Sequence, residues 1–147
     1  MNGQEVTYRY ITNHPKHRYF IPPAKVKPYY FFQDIYDIGT YKEITICEGG
    51  FDLLNLYNYC NKFNNSFYIS IGGKQFRKIL KELITNYLLI GNYVFNIVLD
   101  NDENFKPTKL INACKDIVQQ LNPHCKINFF IPTLSKDVTD LMYIERV

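Results

Sequence analysis

From residue 43 onward, two hydrophobic patterns alternate along the chain. Short runs rich in β-branched and aromatic residues predict strands, and stretches in which hydrophobic residues recur every three or four positions predict amphipathic helices. The predicted strands are residues 43–47, 66–71, 93–99 and 126–131. The predicted helices are residues 51–60, residues 76–87, a third that Asn104 caps and that holds Pro107 in its first turn, and a short last helix that begins near Asp137.

The alternation of strand and helix, with connections of only a few residues, indicates the fold class. Right-handed crossovers between such elements produce a parallel sheet with helices on both faces. Residues 93–99 are nearly all apolar, as expected of a strand that is covered on both faces. We therefore expect an α/β domain of Rossmann-like form over residues 43–147, with a four-stranded, mainly parallel sheet.

Residues 1–42 differ in character. This segment is basic and rich in Pro and Tyr, and its prolines and lack of helical periodicity predict irregular chain with one or two short edge strands, around residues 18–21 and 29–32. Aromatic residues interleaved with cations are typical of surfaces that hold single-stranded nucleic acid. The predicted nucleic-acid contacts in this segment are Arg9, Arg18, Lys25 and Lys27.

A second group of cations, Lys74, Arg77 and Lys78, lies at the start of the second predicted helix, opposite its apolar stripe. These residues are also predicted to contact a phosphate backbone. For both groups an ordinary solvated surface is the alternative, because a charged helix face needs no ligand.

Composition narrows the classes of protein that remain. With 46% hydrophobic and 21% charged residues the chain can bury a core, which excludes disordered, coiled-coil and collagen-like proteins. The net charge of +3 permits nucleic-acid binding without indicating it.

No uninterrupted apolar run reaches the roughly 20 residues of a membrane span, so no membrane partner is expected. Cys47 and Cys114 fall on apolar positions and are predicted to be reduced core residues, which favours a cytoplasmic location.

Acidic residues follow three of the predicted strands. Glu48 ends the first strand and precedes Gly49, Asp100 and Asp102 follow the third, and Asp137 comes after the fourth. The carboxyl ends of parallel strands share one edge of the sheet, and acids gathered there are stabilised by a divalent cation. An all-oxygen ligand set suits Mg²⁺ or Mn²⁺ and the handling of phosphate. The alternative is that each acid is an ordinary turn or cap residue.

The order of these segments resembles the Toprim domain. This domain is shared by DnaG-type bacterial primases, phage primase–helicases, type IA and II topoisomerases and several nucleases. The resemblance covers roughly residues 43–145, and its E-G-x-x-D form followed by apolar residues is most similar to the primase branch. The matching segments are Ile-Cys-Glu-Gly-Gly-Phe-Asp at 46–52, Ile-Ser-Ile-Gly at 69–72, Val-Leu-Asp-Asn-Asp at 98–102 and Lys-Asp at 136–137.

The resemblance implies a role for each acid. Glu48 and Asp100 would be catalytic, with Glu48 transferring a proton at the attacking or leaving hydroxyl. The implied metal ligands are Glu48, Asp100, Asp102 and Asp137, the last of them for a second ion. Asp52 would either support these ligands or cap the first helix, and the supporting glycines would be Gly49 and Gly72. After Asp102 the chain departs from the primase pattern, since Glu103-Asn104-Phe105 replaces a small residue and a glycine.

By this resemblance the expected function is that of a Mg²⁺-dependent nucleotidyltransferase of primase type. Its substrates would be single-stranded DNA and nucleoside triphosphates, and a replicative helicase is a candidate partner. Residues 1–42 would be a remnant of the primase amino-terminal basin. Two alternatives stay open: a Toprim nuclease that hydrolyses phosphodiesters, and a non-catalytic nucleic-acid-binding accessory of replication or mobilisation.

Overall fold

The computed structural model describes residues 10–11, 19–20, 33–59, 63, 65–71, 75–100, 107–132 and 144–146. Within these ranges the chain forms seven strands, three α-helices and one 3-10 helix. The strands are β1 (Tyr10–Ile11), β2 (Tyr19–Phe20), β3 (Glu43–Cys47), β4 (Ser66–Ser70), β5 (Val94–Val98), β6 (Lys126–Pro132) and β7 (Ile144–Arg146). The helices are the 3-10 helix (Ile35–Thr40), α1 (Gly50–Tyr59), α2 (Phe76–Tyr87) and α3 (Thr108–Leu121).

The main sheet has the strand order β4-β3-β5-β6-β7. Its first four strands are parallel, and this confirms the predicted α/β fold. The expectation of only four strands was incomplete, because β7 pairs antiparallel with β6 through Phe130–Pro132. The predicted last helix near Asp137 and the predicted cap at Asn104 lie outside the described residues.

A separate two-stranded antiparallel sheet joins β1 to β2. The edge strand predicted around residues 18–21 is therefore confirmed by β2, whereas β1 was not predicted. The second predicted edge strand, at residues 29–32, lies outside the described residues.

Hydrophobic clusters cover both faces of the main sheet, because neighbouring residues of a strand point to opposite faces. One cluster joins Ile44 and Ile46 of β3 to α2 and α3. The other joins Cys47 and Val98 to Leu53 and Leu56 of α1. Helices α2 and α3 therefore pack on one face and α1 on the other.

Residues ahead of β3 also belong to this packing. Ile38 of the 3-10 helix is 1% exposed and lies in the cluster with α2. The side-chain amide of Gln33 binds the outer edge of β4, where Nε2 donates to the Ser66 carbonyl at 3.0 Å and Oε1 accepts from the Tyr68 amide at 3.4 Å. Gln33 thus pairs with the edge strand as the backbone of another strand would, which shields that edge.

The described part of the chain contains no helix with the length and hydropathy needed to cross a bilayer.

Asn122, directly after α3, ties the loop after α3 to the loop after α2. Its Nδ2 donates to the carbonyls of Leu88 at 2.9 Å and Gly91 at 3.1 Å, and its Oδ1 accepts from the His124 amide at 3.2 Å. Asn122 is 2% exposed, so these bonds replace hydration that the buried groups have lost.

We predict that Asn122→Ala lowers the free energy of unfolding by about 1–3 kcal/mol, because it leaves buried carbonyls without their donor. Urea denaturation followed by circular dichroism measures the change. The matched control is Asn92→Ala, at an exposed position of the neighbouring loop. Equal stability of the two variants would contradict this account of Asn122.

Candidate functional site

In an open parallel sheet a crevice forms where the strand order reverses, which is here at the carboxyl ends of β3 and β5. These strands are neighbours, with Cys47 in register with Val98. The chain leaves β3 through α1 toward β4 and leaves β5 through α3 toward β6, so the two helices diverge to opposite faces and opposite sides of the sheet. In open α/β sheets this reversal of strand order is where ligands bind.

Two predicted site residues flank this crevice. Glu48 directly follows β3, and Asp100 lies two residues beyond β5. Both side chains are half-buried, and one carboxylate oxygen of Asp100, Oδ1, is buried. Neighbouring parallel strands lie about 4.8 Å apart, so the pairing of β3 with β5 brings these two strand ends together.

Negative charges at this edge of the sheet affect the pKa of the Cys47 thiol. Burial raises the pKa of Cys47 well above its ordinary value, and the carboxylates of Asp52, Asp100 and Glu48 raise it further. The three carboxylates come from the first turn of α1 and from the ends of two strands, and all of them act on one buried thiol. Glu48 and Asp100 follow the paired strands β3 and β5, and Asp52 is bonded to Gly49 beside Glu48, so the three carboxylates lie at the same edge of the sheet.

Asp52 caps α1. The Gly49 amide donates to Oδ2 of Asp52 at 3.0 Å, and the Leu53 amide donates to the Gly49 carbonyl at 3.1 Å. Gly49 is thus the residue before the first turn and Asp52 the third residue of the helix, the position from which an acidic side chain reaches back to the cap amide. A carboxylate there is also favoured by the positive end of the helix dipole.

Gly49 lies close to the carboxylate that caps the helix. A Cβ atom on Gly49 would lie 2.7 Å from Oδ2 of Asp52, whereas a Cβ on Gly50 would meet no atom within 4 Å. The spacing between the first Gly and the Asp of E-G-x-x-D therefore has a local structural cause in this chain. Any catalytic or metal-binding role of this motif therefore depends on Glu48.

The backbone of Glu48 is held by β4. Ser70 Oγ donates to the Glu48 carbonyl at 3.3 Å, and the Ile71 amide donates to the Cys47 carbonyl at 3.1 Å. Ser70 was not among the predicted site residues. The available signal was its hydroxyl at the end of an otherwise mostly apolar predicted strand, beside the strand that delivers Glu48.

Of the predicted nucleic-acid contacts, the structure describes Arg77 and Lys78. Both are exposed in the first turn of α2. Burial raises the pKa of Cys114 on α3, and the positive charge of Arg77 partly opposes this effect. The remaining predicted site residues lie outside the described residues, and they are Arg9, Arg18, Lys25, Lys27, Gly72, Lys74, Asp102 and Asp137.

The donor set at the crevice suits a hard cation, since Glu48 and Asp100 offer only carboxylate oxygens. Within the described ranges, no three His, Cys, Asp or Glu side chains form a metal-binding group. Asp102 and Asp137 complete the predicted set and lie outside those ranges. Glu48 and Asp100 are thus the members of the predicted Mg²⁺ ligand set that the structure describes, and the Mg²⁺ site stays a prediction.

Among the described cysteines, Cys47, Cys114 and Cys125 are free and buried. Cys47 and Cys114 are thus the core residues that the apolar pattern predicted.

No protein-family model, curated protein or solved structure matches this chain.

We predict that Gly49→Ala destabilises the protein by about 1 kcal/mol, because the new Cβ displaces Asp52 and breaks the cap. Gly50→Ala has open space at the first helical position and should leave stability unchanged or raise it by up to about 1 kcal/mol. Urea denaturation compares the two variants. If they were equally stable, the cap would not be what requires glycine at position 49.

A pH dependence follows from Cys114, whose pKa burial raises from 9.0 to about 11. The folded protein holds the proton of this thiol more tightly than the unfolded chain does. The protonated thiol therefore contributes fully to stability below pH 9, and this contribution is lost between pH 9 and 11. Cys114→Ala should therefore show a weaker fall in unfolding free energy over this interval than the wild-type protein. Urea denaturation at pH 7.5, 9 and 10 tests it, and equal slopes would contradict the assignment.

Proposed function

We propose that the protein is a Mg²⁺-dependent nucleotidyltransferase of primase type, which joins nucleotides on a single-stranded DNA template. The observation that carries the proposal is that Glu48, Asp52 and Asp100 lie at the sheet edge where the strand order reverses. Carboxylates from separate strands at this point suit chemistry on phosphates. The Toprim resemblance of the same segments supports the choice of reaction.

Each residue has a definite task in this proposal. Bound Mg²⁺ supplies charge neutralisation and alignment of a phosphoryl group. Glu48 accepts the proton of the attacking 3′-hydroxyl, and Asp100 contributes carboxylate oxygens to the ion. Asp52 holds the loop through the Gly49 amide and so keeps Glu48 in position.

The cations of α2 complement this site. Arg77 and Lys78 lie in the first turn of a helix that begins at the same sheet edge as the carboxylates. Their charges attract the phosphate backbone of a template strand, and this attraction weakens as salt is added. They carry no base specificity, which suits a template of varied sequence.

The test is primer synthesis by the full chain with single-stranded template, labelled nucleoside triphosphates and Mg²⁺ or Mn²⁺. We expect oligonucleotide products, and we expect Glu48→Gln and Asp100→Asn each to lower the rate by about 100-fold or more, as loss of a proton-transfer group or a metal ligand does.

Two carboxylates provide matched controls. Glu43 begins β3, at the end of the strand opposite to Glu48, and Asp116 is exposed on α3. Glu43→Gln and Asp116→Asn should retain the wild-type rate. Absence of any product from the wild-type chain would refute primer synthesis, whereas cleavage of the template without nucleotides, lost in Asp100→Asn, would assign the site to a nuclease.

A further inference from the structure

Helix α1 is hydrophobic on two sides. On its inner side Leu53 and Leu56 are 1% exposed and pack on the sheet. On its outer side Phe51, Leu54 and Tyr57 recur every three residues and are 60%, 40% and 53% exposed. The inner residues account for the packing of the helix, so the outer residues need a separate explanation. We call Phe51, Leu54 and Tyr57 the outer stripe.

The far end of the outer stripe is held by a contact between two aromatic rings. The ring of Tyr57 packs edge-to-face on Tyr68, with ring centroids 5.4 Å apart and an interplanar angle of 80°. Tyr68 is itself anchored, because its hydroxyl donates to the Phe63 carbonyl at 2.5 Å. An exposed ring in a fixed orientation offers a flat face at low entropic cost to a ligand.

The near end of the outer stripe adjoins the candidate site. Phe51 is the second residue of α1 and lies three positions after Glu48. From Phe51 to Tyr57 the stripe rises about 9 Å along the helix axis, away from the crevice. On the other face of the sheet, at the same edge, stand Arg77 and Lys78. A strand that crosses this edge therefore meets cations on one side and aromatic rings on the other.

We propose that Phe51 and Tyr57 form a stacking surface for unpaired bases of single-stranded DNA. Proteins hold single strands without sequence preference by combining aromatic rings, on which bases stack, with cations along the path of the backbone, since every base has a flat face. The proposal rests on the proposed function for the path of the strand across the crevice. It does not depend on turnover at that site.

The chain contains no tryptophan, so Phe51→Trp places a single tryptophan, which can be excited selectively over tyrosine, on the outer stripe. Titration of this variant with a single-stranded oligonucleotide should quench its emission. An oligonucleotide of abasic sites with the same number of phosphates should bind more weakly and quench little. The control is Tyr36→Trp. Tyr36 is 78% exposed and lies near the end of α2, at the opposite edge of the sheet, so the emission of this variant should not respond to DNA.

Affinity measurements by fluorescence anisotropy of labelled DNA complete the test. Phe51→Leu keeps a hydrophobic side chain but removes the ring, and it should weaken binding about 10-fold, as loss of one stacked base does. Phe51→Tyr should keep wild-type affinity, and so should Tyr36→Leu. Circular dichroism verifies that each variant is folded.

Several results would overturn the stacking surface: wild-type affinity in Phe51→Leu, equal affinity for the abasic strand, or no binding of single strands by the wild-type chain. If the protein self-associates, Phe51→Leu abolishes this association and neither responds to DNA, the outer stripe is instead an interface between copies.

Failure of the proposed function gives a different result. If the wild-type protein makes no primer but Phe51→Leu weakens its binding of DNA, the stacking surface is retained and the proposed function is not. Primer synthesis with unchanged affinity in Phe51→Leu would retain the proposed function and remove the stacking surface.

Discussion

The geometry of the crevice depends on the parallel pairing of β3 with β4 on one side and β5 on the other. Ile44 and Ile46 on one face of this central strand, and Thr45 and Cys47 on the other, are fully buried, so burial on both faces reinforces the hydrogen-bonded ladder. The relative positions of Glu48 and Asp100 follow from backbone register. The sheet can therefore hold like charges near one another without any attraction between them, which is the arrangement that a cation-binding site requires.

Local patterns were sufficient to predict most of the fold. Helix α2 has the predicted bounds because its hydrophobic residues keep one period from Phe76 to Tyr87. β7 could not be predicted in this way, since Ile144–Arg146 holds two charged residues among three and owes its conformation to pairing with β6. β1 is shorter still, and its conformation depends in the same way on pairing with β2. Strands of two or three residues carry no period of their own, and partners distant along the chain determine them.

The candidate site was predictable to a similar degree. Glu48 and Asp100 lie at the carboxyl ends of β3 and β5, as the predicted strand boundaries required, and their role in binding stays a prediction. The role of Asp52 stayed open in the sequence, because a helix-capping carboxylate and a carboxylate that supports metal ligands can have the same spacing, and the hydrogen bond from Gly49 now shows the cap. The exposure of Phe51 had no sequence signal, since α1 is hydrophobic on two sides and periodicity alone does not say which side faces the sheet.

The side-chain amide of Gln33 on β4 has a practical consequence for dissecting this protein. A shortened chain that starts at residue 43, where the regular strand and helix pattern begins, would lose both this amide and the buried Ile38. It would then offer the backbone of β4 to other molecules as a template for strand addition, and recombinant fragments cut there would precipitate through that edge. The smallest unit suited to expression and crystallisation therefore includes Gln33.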